Sequence, residues 1–513
     1  MPILLSVILL CFASSSFAAE KTPKPDHLII MIFDAMRPDF VDRFGMKNFK
    51  RLQQMSRNYP QAYVGHLFSE TVVAHAVIPT GLPPRLLPWD DDLFWDKDGR
   101  LGKGDAFYLT GNLSIEQHKQ LLGDLPSHVF LQSKLKNRFG GKVFAVGAKA
   151  YAASIFGGPH ADGIVTFKKE AGKCLPAGRA VPDYVSGDDR FTVDCSDRQG
   201  TEMSFYPLDG ARHVPGKDPK HLGGDTWVAD VAMKLMEKEQ WSALLLTFSG
   251  IDKMAHMLGE QDGPRPHDFK SEVSFENIVK NADVQLGRLL DALEKRGELS
   301  RTLIVVTADH GGQANRYFFG GRGKGHSGVI VGDEATSEDK VPGIEQLRRN
   351  AKVRASYYDS ALRVWLEDQV PANRAKAVAS LEQMSGVVAV YGKMKKEPVE
   401  QLENAEPEAA PADYGYKLEA SSRLESQPRR FKDWMKQNAE GLLDSMASER
   451  SPDLVGFLED DVGYGLLGDH GGAQEKVQRV PLSVYVPGKR GAVLGERVRH
   501  RDIKGLIEKE MGL

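Results

Sequence analysis

Five short apolar segments are the clearest pattern in the chain, and each predicts a β-strand buried on both faces. They are continuous runs rich in Ile, Val, Leu and Phe, at residues 27–34, 142–147, 242–249, 302–309 and 482–486. Apolar side chains at intervals of three and four predict an amphipathic helix over residues 274–297. Strands alternating with helices favour an α/β fold with a doubly wound, mostly parallel central sheet flanked by helices.

Two regions depart from this pattern and predict insertions into the sheet domain. Residues 157–225 are rich in Gly, Pro, Asp and Lys, and we expect a surface insertion there. Residues 345–450 predict a small inserted α+β subdomain, which includes a flexible acidic linker at 402–415. The core is then expected in residues 25–345 and 450–513.

Composition narrows the class of protein without defining its activity. The 513 residues are 41% hydrophobic, and 67 basic against 70 acidic residues leave a net charge of −3. This balance gives no reason to expect nucleic-acid binding or attraction to an anionic membrane.

The first residues predict export. An apolar run at 3–17, followed by Ala18 and Ala19, is typical of a secretory signal peptide, here residues 1–18. A buried N-terminal strand is the alternative. No later run approaches the ~20 apolar residues that span a bilayer. We therefore expect a periplasmic or secreted protein without a transmembrane anchor.

Two cysteines remain after removal of the signal peptide, Cys174 and Cys195. An oxidising compartment favours a disulfide between them, which would stabilise the fold by roughly 3 kcal/mol through loop closure. Two unpaired, buried thiols are the alternative.

Acidic and histidine side chains follow the apolar segments where strands are expected to end. Asp34 ends the first segment, Asp309 ends the fourth, and His310 comes directly after it. Asp252 and His256 follow the third at a spacing of four, which puts both on one face of a helical turn. His470 lies in a second Asp-His-Gly-Gly run. The carboxyl ends of parallel strands are where α/β folds build active sites, so these side chains predict a metal centre.

Three aspartates and three histidines suffice for two divalent cations. Their mixture of carboxylate and imidazole favours Zn²⁺, with Mn²⁺ or Fe²⁺ as alternatives. Two metals ~4 Å apart suit phosphoryl transfer, because they can hold both the nucleophile and the leaving oxygen. Thr71, at the start of a predicted helix, is the best candidate nucleophile. Its alternative role is that of a helix N-cap.

The motifs IFDAMRPD, TVVAHAVIPTGLPP, IDKMAH, VVTADHGG and the late HGG occur in an order that resembles the alkaline phosphatase superfamily. The resemblance is nearest to the type I phosphodiesterase/nucleotide pyrophosphatase branch. It implies one metal held by Asp252, His256 and His470, and another held by Asp34, Thr71, Asp309 and His310. It also implies a phosphothreonine intermediate hydrolysed by metal-bound water, and a cap over the site.

Three positions bear on the choice of substrate. The family phosphodiesterases carry an Asn at a position that corresponds here to Asp92, in a run of three aspartates expected to be mostly solvated. Lys149 matches a phosphate-binding Lys of the monoesterase relatives, whereas Tyr151 stands where they have an Arg. His326, in a Gly-rich loop, is a candidate substrate-side residue and an alternative to His470 as a metal ligand.

The leading hypothesis is therefore an exported two-metal hydrolase of small-molecule phosphate esters, acting on diesters or monoesters. A sulfatase is an alternative, although position 71 holds Thr and not the Cys or Ser of the motif that yields formylglycine. A phosphomutase or headgroup transferase would use the same metal frame. A non-catalytic, metal-binding protein on this scaffold is the non-enzyme alternative.

Overall fold

The computed structural model describes residues 24–170, 173–194, 224–258, 275–315, 317–318, 328–331, 334–335, 342–397, 413–465 and 468–513. The predicted signal peptide, Cys195, His326 and residues 402–412 of the predicted linker lie outside these ranges.

The strands of the described residues are numbered in chain order. They are β1 (His27–Phe33), β2 (Arg57–Asn58), β3 (Leu93–Asp96), β4 (Ala106–Leu109), β5 (Lys142–Gly147), β6 (Gly163–Glu170), β7 (Lys173–Arg179), β8 (Val193–Asp194), β9 (Trp241–Phe248), β10 (Thr302–Thr307), β11 (Gln313–Ala314), β12 (Tyr317–Phe318), β13 (Gly328–Val331), β14 (Glu334–Ala335), β15 (Val353–Tyr358), β16 (Ala361–Leu366), β17 (Val387–Lys395), β18 (Tyr414–Ala420), β19 (Leu454–Leu458), β20 (Val462–Gly463), β21 (Gly468–Asp469), β22 (Leu482–Tyr485) and β23 (Ala492–Val493).

The helices are numbered in the same way. They are α1 (Phe40–Arg43), α2 (Lys47–Met55), α3 (Thr71–Thr80), α4 (Ile115–Leu122), α5 (Leu131–Phe139), α6 (Ala150–Gly157), α7 (Asp183–Ser186), α8 (Asp225–Lys238), α9 (Gly250–Leu258), α10 (Phe275–Lys295), α11 (Pro342–Asn350), α12 (Pro371–Gln383), α13 (Arg429–Met446), α14 (Glu475–Gln478) and α15 (His500–Met511).

A large mixed sheet forms the centre of the molecule, in the order β23-β2-β22-β10-β1-β9-β5-β6-β7-β8. Its middle strands, from β10 to β6, are parallel to one another. β22 and β7 add to the two sides in the antiparallel sense. The fold is α/β, as predicted, and the parallel strands are buried because helices cover both faces.

All five predicted strands lie in this sheet, as β1, β5, β9, β10 and β22, and the predicted helix is α10. The side chains of β9 and β10 are buried along their whole length. On α10, the predicted apolar face packs into the same core, with Ile278, Leu286 and Leu290 fully buried. Burial of this face, rather than helix propensity, is the main source of its stability.

Part of the region expected as a surface insertion instead extends the central sheet. β6 pairs with β5 in parallel, and its Ile164 and Val165 are fully buried. The Gly- and Pro-rich composition of residues 157–225 hid this strand, because the apolar run at its start is only a few residues long and polar residues follow. β7 and β8 follow as an antiparallel edge, with Val193 opposite the buried Cys174.

A second sheet of seven antiparallel strands stands beside the first, in the order β14-β13-β15-β16-β19-β17-β18. α11, α12 and α13 pack with it around two further apolar clusters. The sheet begins before residue 345 and continues past residue 450, so it is larger than the predicted subdomain. The difference arises because β13, before residue 345, pairs with β15, and β19, after residue 450, pairs with β16 and β17.

Among the described helices, none combines the length and the apolar character needed to cross a bilayer.

Candidate active site

The candidate ligands converge because four neighbouring parallel strands end at one edge of the central sheet. Asp34 follows β1, Asp309 follows β10, and α9, which carries Asp252, follows β9. Lys149 follows β5 and precedes α6. The sheet order β10-β1-β9-β5 places these strand ends side by side. All four side chains are at least nine-tenths buried.

The first ligand group consists of Asp34, Asp309 and His310, whose ligand atoms lie within 4.8 Å of one another. His310 donates from Nδ1 to the carbonyl of Gly311 at 2.8 Å, which leaves the lone pair on Nε2. That atom lies 3.4 Å from Asp34 Oδ1. Asp309 is held by the amides of Ala35 and His310, at 3.2 and 3.0 Å from Oδ1.

The second ligand group is built around α9 and the strand that precedes His470. Asp252 and His256 lie one turn apart, with His256 Nε2 at 3.2 Å from Asp252 Oδ1. His256 Nδ1 donates to the carbonyl of Gly468 at 2.7 Å, so Nε2 points away from β21. His470 Nε2 lies 3.2 Å from His256 Nε2 and 3.5 Å from Asp252 Oδ1.

The two groups share a boundary. The rings of His310 and His470 stack with their centroids 3.8 Å apart. Ligand atoms of Asp252, His310 and His470 also lie within 4.8 Å of one another. Asp469 forms a further set with His256 and His470. The sequence analysis did not identify Asp469 as a candidate ligand, although it stands directly before His470 in the second Asp-His-Gly-Gly run.

These residues fit divalent cations. Two imidazole nitrogens and a carboxylate oxygen face one another in the second group, which requires a positive charge among them, either a proton on His256 or a cation. Asp252 Oδ1 and Asp309 Oδ2 are buried, and neither accepts a hydrogen bond from the residues that the structure describes. Buried acceptors of this kind are costly without a partner, and carboxylate with imidazole is a donor set that Zn²⁺ binds.

Burial and mutual repulsion shape the charges of the first group. Burial, with the carboxylates of Asp252 and Asp309 nearby, raises the pKa of Asp34 well above its usual range. Burial likewise raises the pKa of Asp309 to about 6. It lowers the pKa of His310 to about 4, which keeps that imidazole neutral at pH 7, the form that binds metals.

The second group is charged differently. Burial lowers the pKa of His470 to about 3. For His256, contact with Asp252 outweighs burial and raises the pKa to about 9, so a bound metal must displace a proton there. Burial opposes the charge of Asp252, but His256 and Lys149 hold its pKa well below the usual range.

Thr71 is the first residue of α3, and Glu70 occupies the N-cap position. The Thr71 Oγ1 lies 3.4 Å from Nε2 of His310, in the first group, and 3.5 Å from Lys149 Nζ. The N-terminus of a helix favours negative charge, which suits an alkoxide or a phosphoryl group at this hydroxyl. α3 is buried along its length, and α15 packs against it.

Lys149 joins one carboxylate of each group. Its Nζ lies 2.7 Å from Asp34 Oδ2 and 2.6 Å from Asp252 Oδ2. Burial opposes its charge, but these carboxylates hold the pKa of Lys149 well above its usual range. The ammonium is therefore positively charged at the centre of the site. The ring of Tyr151 lies beside it, with Nζ 5.9 Å from the ring centroid.

The run of three aspartates was expected to be mostly solvated, but two of them, Asp90 and Asp91, are buried. Asp91 is fully buried, with Oδ2 2.9 Å from Arg363 Nε. Asp90 is buried and accepts a hydrogen bond from Ser451 at 2.6 Å. These contacts with residues distant in sequence give the carboxylates partners that the local sequence does not reveal.

Asp92 is held by two donors. It accepts from the amide of Gly111 at 3.1 Å and from the hydroxyl of Tyr357 at 3.3 Å. Burial raises its pKa.

Glu70 and Arg363 are residues of the site that the sequence reasoning missed. Glu70 Oε2 lies 3.1 Å from Nδ1 of His470, and Glu70 Oε1 lies 3.1 Å from Nη2 of Arg363. The arginine in the otherwise apolar strand ALRVWL was the available signal.

Comparison with known proteins places this geometry in context. Residues 28–480 match the family described as type I phosphodiesterase / nucleotide pyrophosphatase. A calcium-transporting ATPase of Myroides odoratus is 22% identical over 441 residues, which cover 74% of this chain and 78% of that protein.

Solved structures share the fold. Alkaline phosphatase PafA superimposes with a TM-score of 0.60 at 15% identity, over 96% of this chain and 97% of that one. An inactive threonine-to-alanine variant of murine ectonucleotide pyrophosphatase / phosphodiesterase 5, in complex with AMP, gives a TM-score of 0.51 at 12% identity. That match covers 95% of each chain.

Proposed function

Because the chain belongs to the type I phosphodiesterase / nucleotide pyrophosphatase family, and is therefore a hydrolase of phosphate esters, we propose that it uses two divalent cations and Thr71 as nucleophile. The observation that carries the proposal is the position of the Thr71 hydroxyl. It lies at a helix N-terminus, 3.4 Å from His310 Nε2, a candidate metal-binding nitrogen, and 3.5 Å from the ammonium of Lys149.

In this proposal Asp34, Asp309 and His310 hold one cation beside Thr71, and Asp252, His256 and His470 hold the other. Zn²⁺ is the metal that the donor set favours. When bound, the cations supply positive charge that favours the alkoxide of the nucleophile and stabilises the leaving oxygen.

The chain's own residues then carry the reaction. The Thr71 hydroxyl loses its proton and its oxygen attacks phosphorus, while the ester oxygen leaves with the bonding electron pair and takes up a proton, so phosphothreonine forms. Water then attacks the same phosphorus, one of its protons passes to the Thr71 oxygen as that oxygen leaves, and phosphate or a phosphomonoester is released. Lys149 balances the negative charge that develops on the transferred group, and the N-terminus of α3 adds to this stabilisation.

The substrate is a small-molecule phosphate ester, and two residues, Lys149 and Asp92, bear on its class. Lys149 favours a substrate with a highly charged phosphoryl group, such as a monoester. Asp92 opposes such a group, because an ionised carboxylate near a phosphoryl oxygen repels it. His326, a candidate on the substrate side, lies outside the described residues.

The test combines metal analysis with a substrate panel. We expect two cations per chain, and turnover of an aryl phosphodiester or an aryl phosphomonoester in excess of a sulfate ester. Thr71→Ala should abolish turnover, Thr71→Ser should retain part of it, and acid quenching of the wild type should trap phosphothreonine. Thr80→Ala is the matched control, because Thr80 is buried on the same helix and donates to the carbonyl of Ala76 at 2.6 Å.

The alternatives have their own signatures in that experiment. Preference for the sulfate ester would indicate a sulfatase, and transfer of the phosphoryl or headgroup to an acceptor would indicate a mutase or transferase. Metal binding without turnover would indicate a non-catalytic scaffold. Full activity of Thr71→Ala would refute the proposed nucleophile.

We also propose that the protein is exported to the periplasm or secreted and contains a Cys174–Cys195 disulfide. The apolar run at 3–17 supports export. Val193 lies opposite Cys174 in the β7–β8 pair, which places the chain beside Cys174 just before residue 195. Mass spectrometry of the unreduced, exported protein should show an N-terminus near residue 19 and peptides linked through both cysteines.

A further inference from the structure

Arg363 is a fully buried cation that the second sheet directs toward the active site. It lies on β16, with no exposed surface, and its guanidinium carbon lies 4.1 and 4.8 Å from the ring centroids of Phe68 and Tyr357. The two rings pack against the guanidinium and help to exclude water from it. A buried charge of this kind is tolerated only when opposite charges and hydrogen bonds surround it.

Carboxylates provide that compensation. Nε lies 2.9 Å from Asp91 Oδ2, and Nη1 is paired with Asp359 on the same hairpin. Nη2 lies 3.1 Å from Glu70 Oε1 and donates to the carbonyl of Gly471 at 3.0 Å. Two of these partners, Glu70 and Gly471, directly adjoin Thr71 and His470 in sequence.

Glu70 extends the contact to the candidate metal ligand. Its second oxygen, Oε2, lies 3.1 Å from His470 Nδ1. A carboxylate only accepts, so this position favours a proton on Nδ1 and leaves Nε2 as the lone-pair atom that faces His256. A carboxylate behind a metal-bound histidine fixes both the tautomer and the orientation of the ring.

We propose that Arg363 is a positioning residue for the metal centre: it fixes Glu70, which orients His470 toward the cation. The inference rests on the proposed two-metal function. It makes the second sheet part of the active site, because the guanidinium belongs to β16, whereas its partners Glu70 and Gly471 adjoin Thr71 and His470. Glu70 is also the N-cap of α3, so the same contact holds the helix that begins with Thr71.

The experiment compares the wild type with Arg363→Met, Arg363→Lys and Glu70→Gln. Arg374→Met is the matched control, because Arg374 pairs with Glu419 at 3.0 Å beside the same sheet, outside the candidate site. Each protein is first freed of bound metal and is then titrated with Co²⁺ and with Zn²⁺ in competition with a chelator of known affinity. The visible spectrum of bound Co²⁺ reports on the ligands, and circular dichroism reports on folding.

We expect the wild type and Arg374→Met each to bind two equivalents of metal and to give the same visible spectrum with Co²⁺. In Arg363→Met and Glu70→Gln, one equivalent should bind about 10- to 100-fold more weakly with an altered Co²⁺ spectrum. Arg363→Lys should recover part of the affinity, since a lysine restores the charge without the fork of donors.

Wild-type affinity and spectrum in a folded Arg363→Met protein would overturn the positioning role. If that variant does not fold, Glu70→Gln decides, because it keeps the shape of the side chain: unchanged metal binding there would overturn the role equally. A wild type that binds no cation would refute the proposed function and this inference together. Two tight equivalents in every variant would refute the inference alone.

Discussion

The Nε2 atoms of His256 and His470 lie 3.2 Å apart, although 214 positions separate the two residues in the chain. Each ring has its Nδ1 directed to another partner, the carbonyl of Gly468 for His256 and the carboxylate of Glu70 for His470. The two nitrogens therefore point at one space, which fits the proposed cation between them.

Metal removal should destabilise the folded protein. A cation that binds only the folded state stabilises it by roughly 4 kcal/mol when its free concentration is ~1,000-fold above Kd. We expect a chelator to lower the melting temperature, and added Zn²⁺ to restore it. His470→Ala should reduce this difference, since it removes one ligand. An identical response of that variant and the wild type would argue against His470 as a ligand.

Lys149→Met should lower kcat/KM by on the order of 100-fold, the effect of removing one charge-stabilising donor in an active site. The loss should be larger for a phosphomonoester than for a phosphodiester, because the monoester carries more negative charge. Steady-state kinetics on both esters measure this. Lys504→Met is the control, because Lys504 is a comparably buried lysine on α15 that pairs with Glu508 at 3.3 Å. Equal loss in both variants would point to a general effect on stability.

Asp92→Asn should raise the rate of phosphate ester hydrolysis by about tenfold, which corresponds to ~1.4 kcal/mol of relieved repulsion. Burial raises the pKa of Asp92, so its carboxyl is partly neutral at low pH and becomes ionised as the pH rises. The advantage of the variant should therefore grow with pH. A pH profile of kcat/KM for both proteins checks the sign, and a ratio independent of pH would show that Asp92 lies outside the substrate's reach.

Gly311→Ala should disturb the first ligand group. A Cβ at this position would lie 2.0 Å from the carbonyl oxygen of Lys476, so the loop that follows His310 must move. We expect a loss of roughly 2–4 kcal/mol in unfolding free energy and weaker binding of one metal. Gly505→Ala on α15 is the matched control, since its Cβ meets nothing within 4 Å and alanine favours a helix. Denaturant unfolding and metal titration compare the two.

Strong periodic signals account for what the sequence predicted well. β1, β5, β9, β10 and β22 are apolar runs, and α10 has a regular apolar stripe, so the identity of the central sheet followed from local patterns. The structure also brings Asp34, Asp252, His256, Asp309 and His310 together, because the parallel strands that precede them end at a common edge. His470 joins them from the loop after β21, which pairs with β11 outside the central sheet.

The remaining features depend on contacts between distant residues. Asp91 looked like a solvated surface residue, and only β16, from the second sheet, reveals the guanidinium that it meets. Glu70 resembled an ordinary residue before a helix, and its role becomes visible only with His470 and Arg363 in place. β6 was hidden by the composition of the residues around it, since only the first half of the strand is apolar and Lys168, Lys169 and Glu170 follow.

The position of the second sheet along the chain, between His310 and His470, has a consequence for folding. Long loops cost entropy before their contacts form, so pairings such as Ala35 with Asp309, 274 positions apart, are expected to form late. His470 follows the second sheet in the chain, and its partner Glu70 contacts Arg363 of that sheet. We therefore expect the site to be complete only once the second sheet has folded, so that an incompletely folded chain lacks hydrolytic activity.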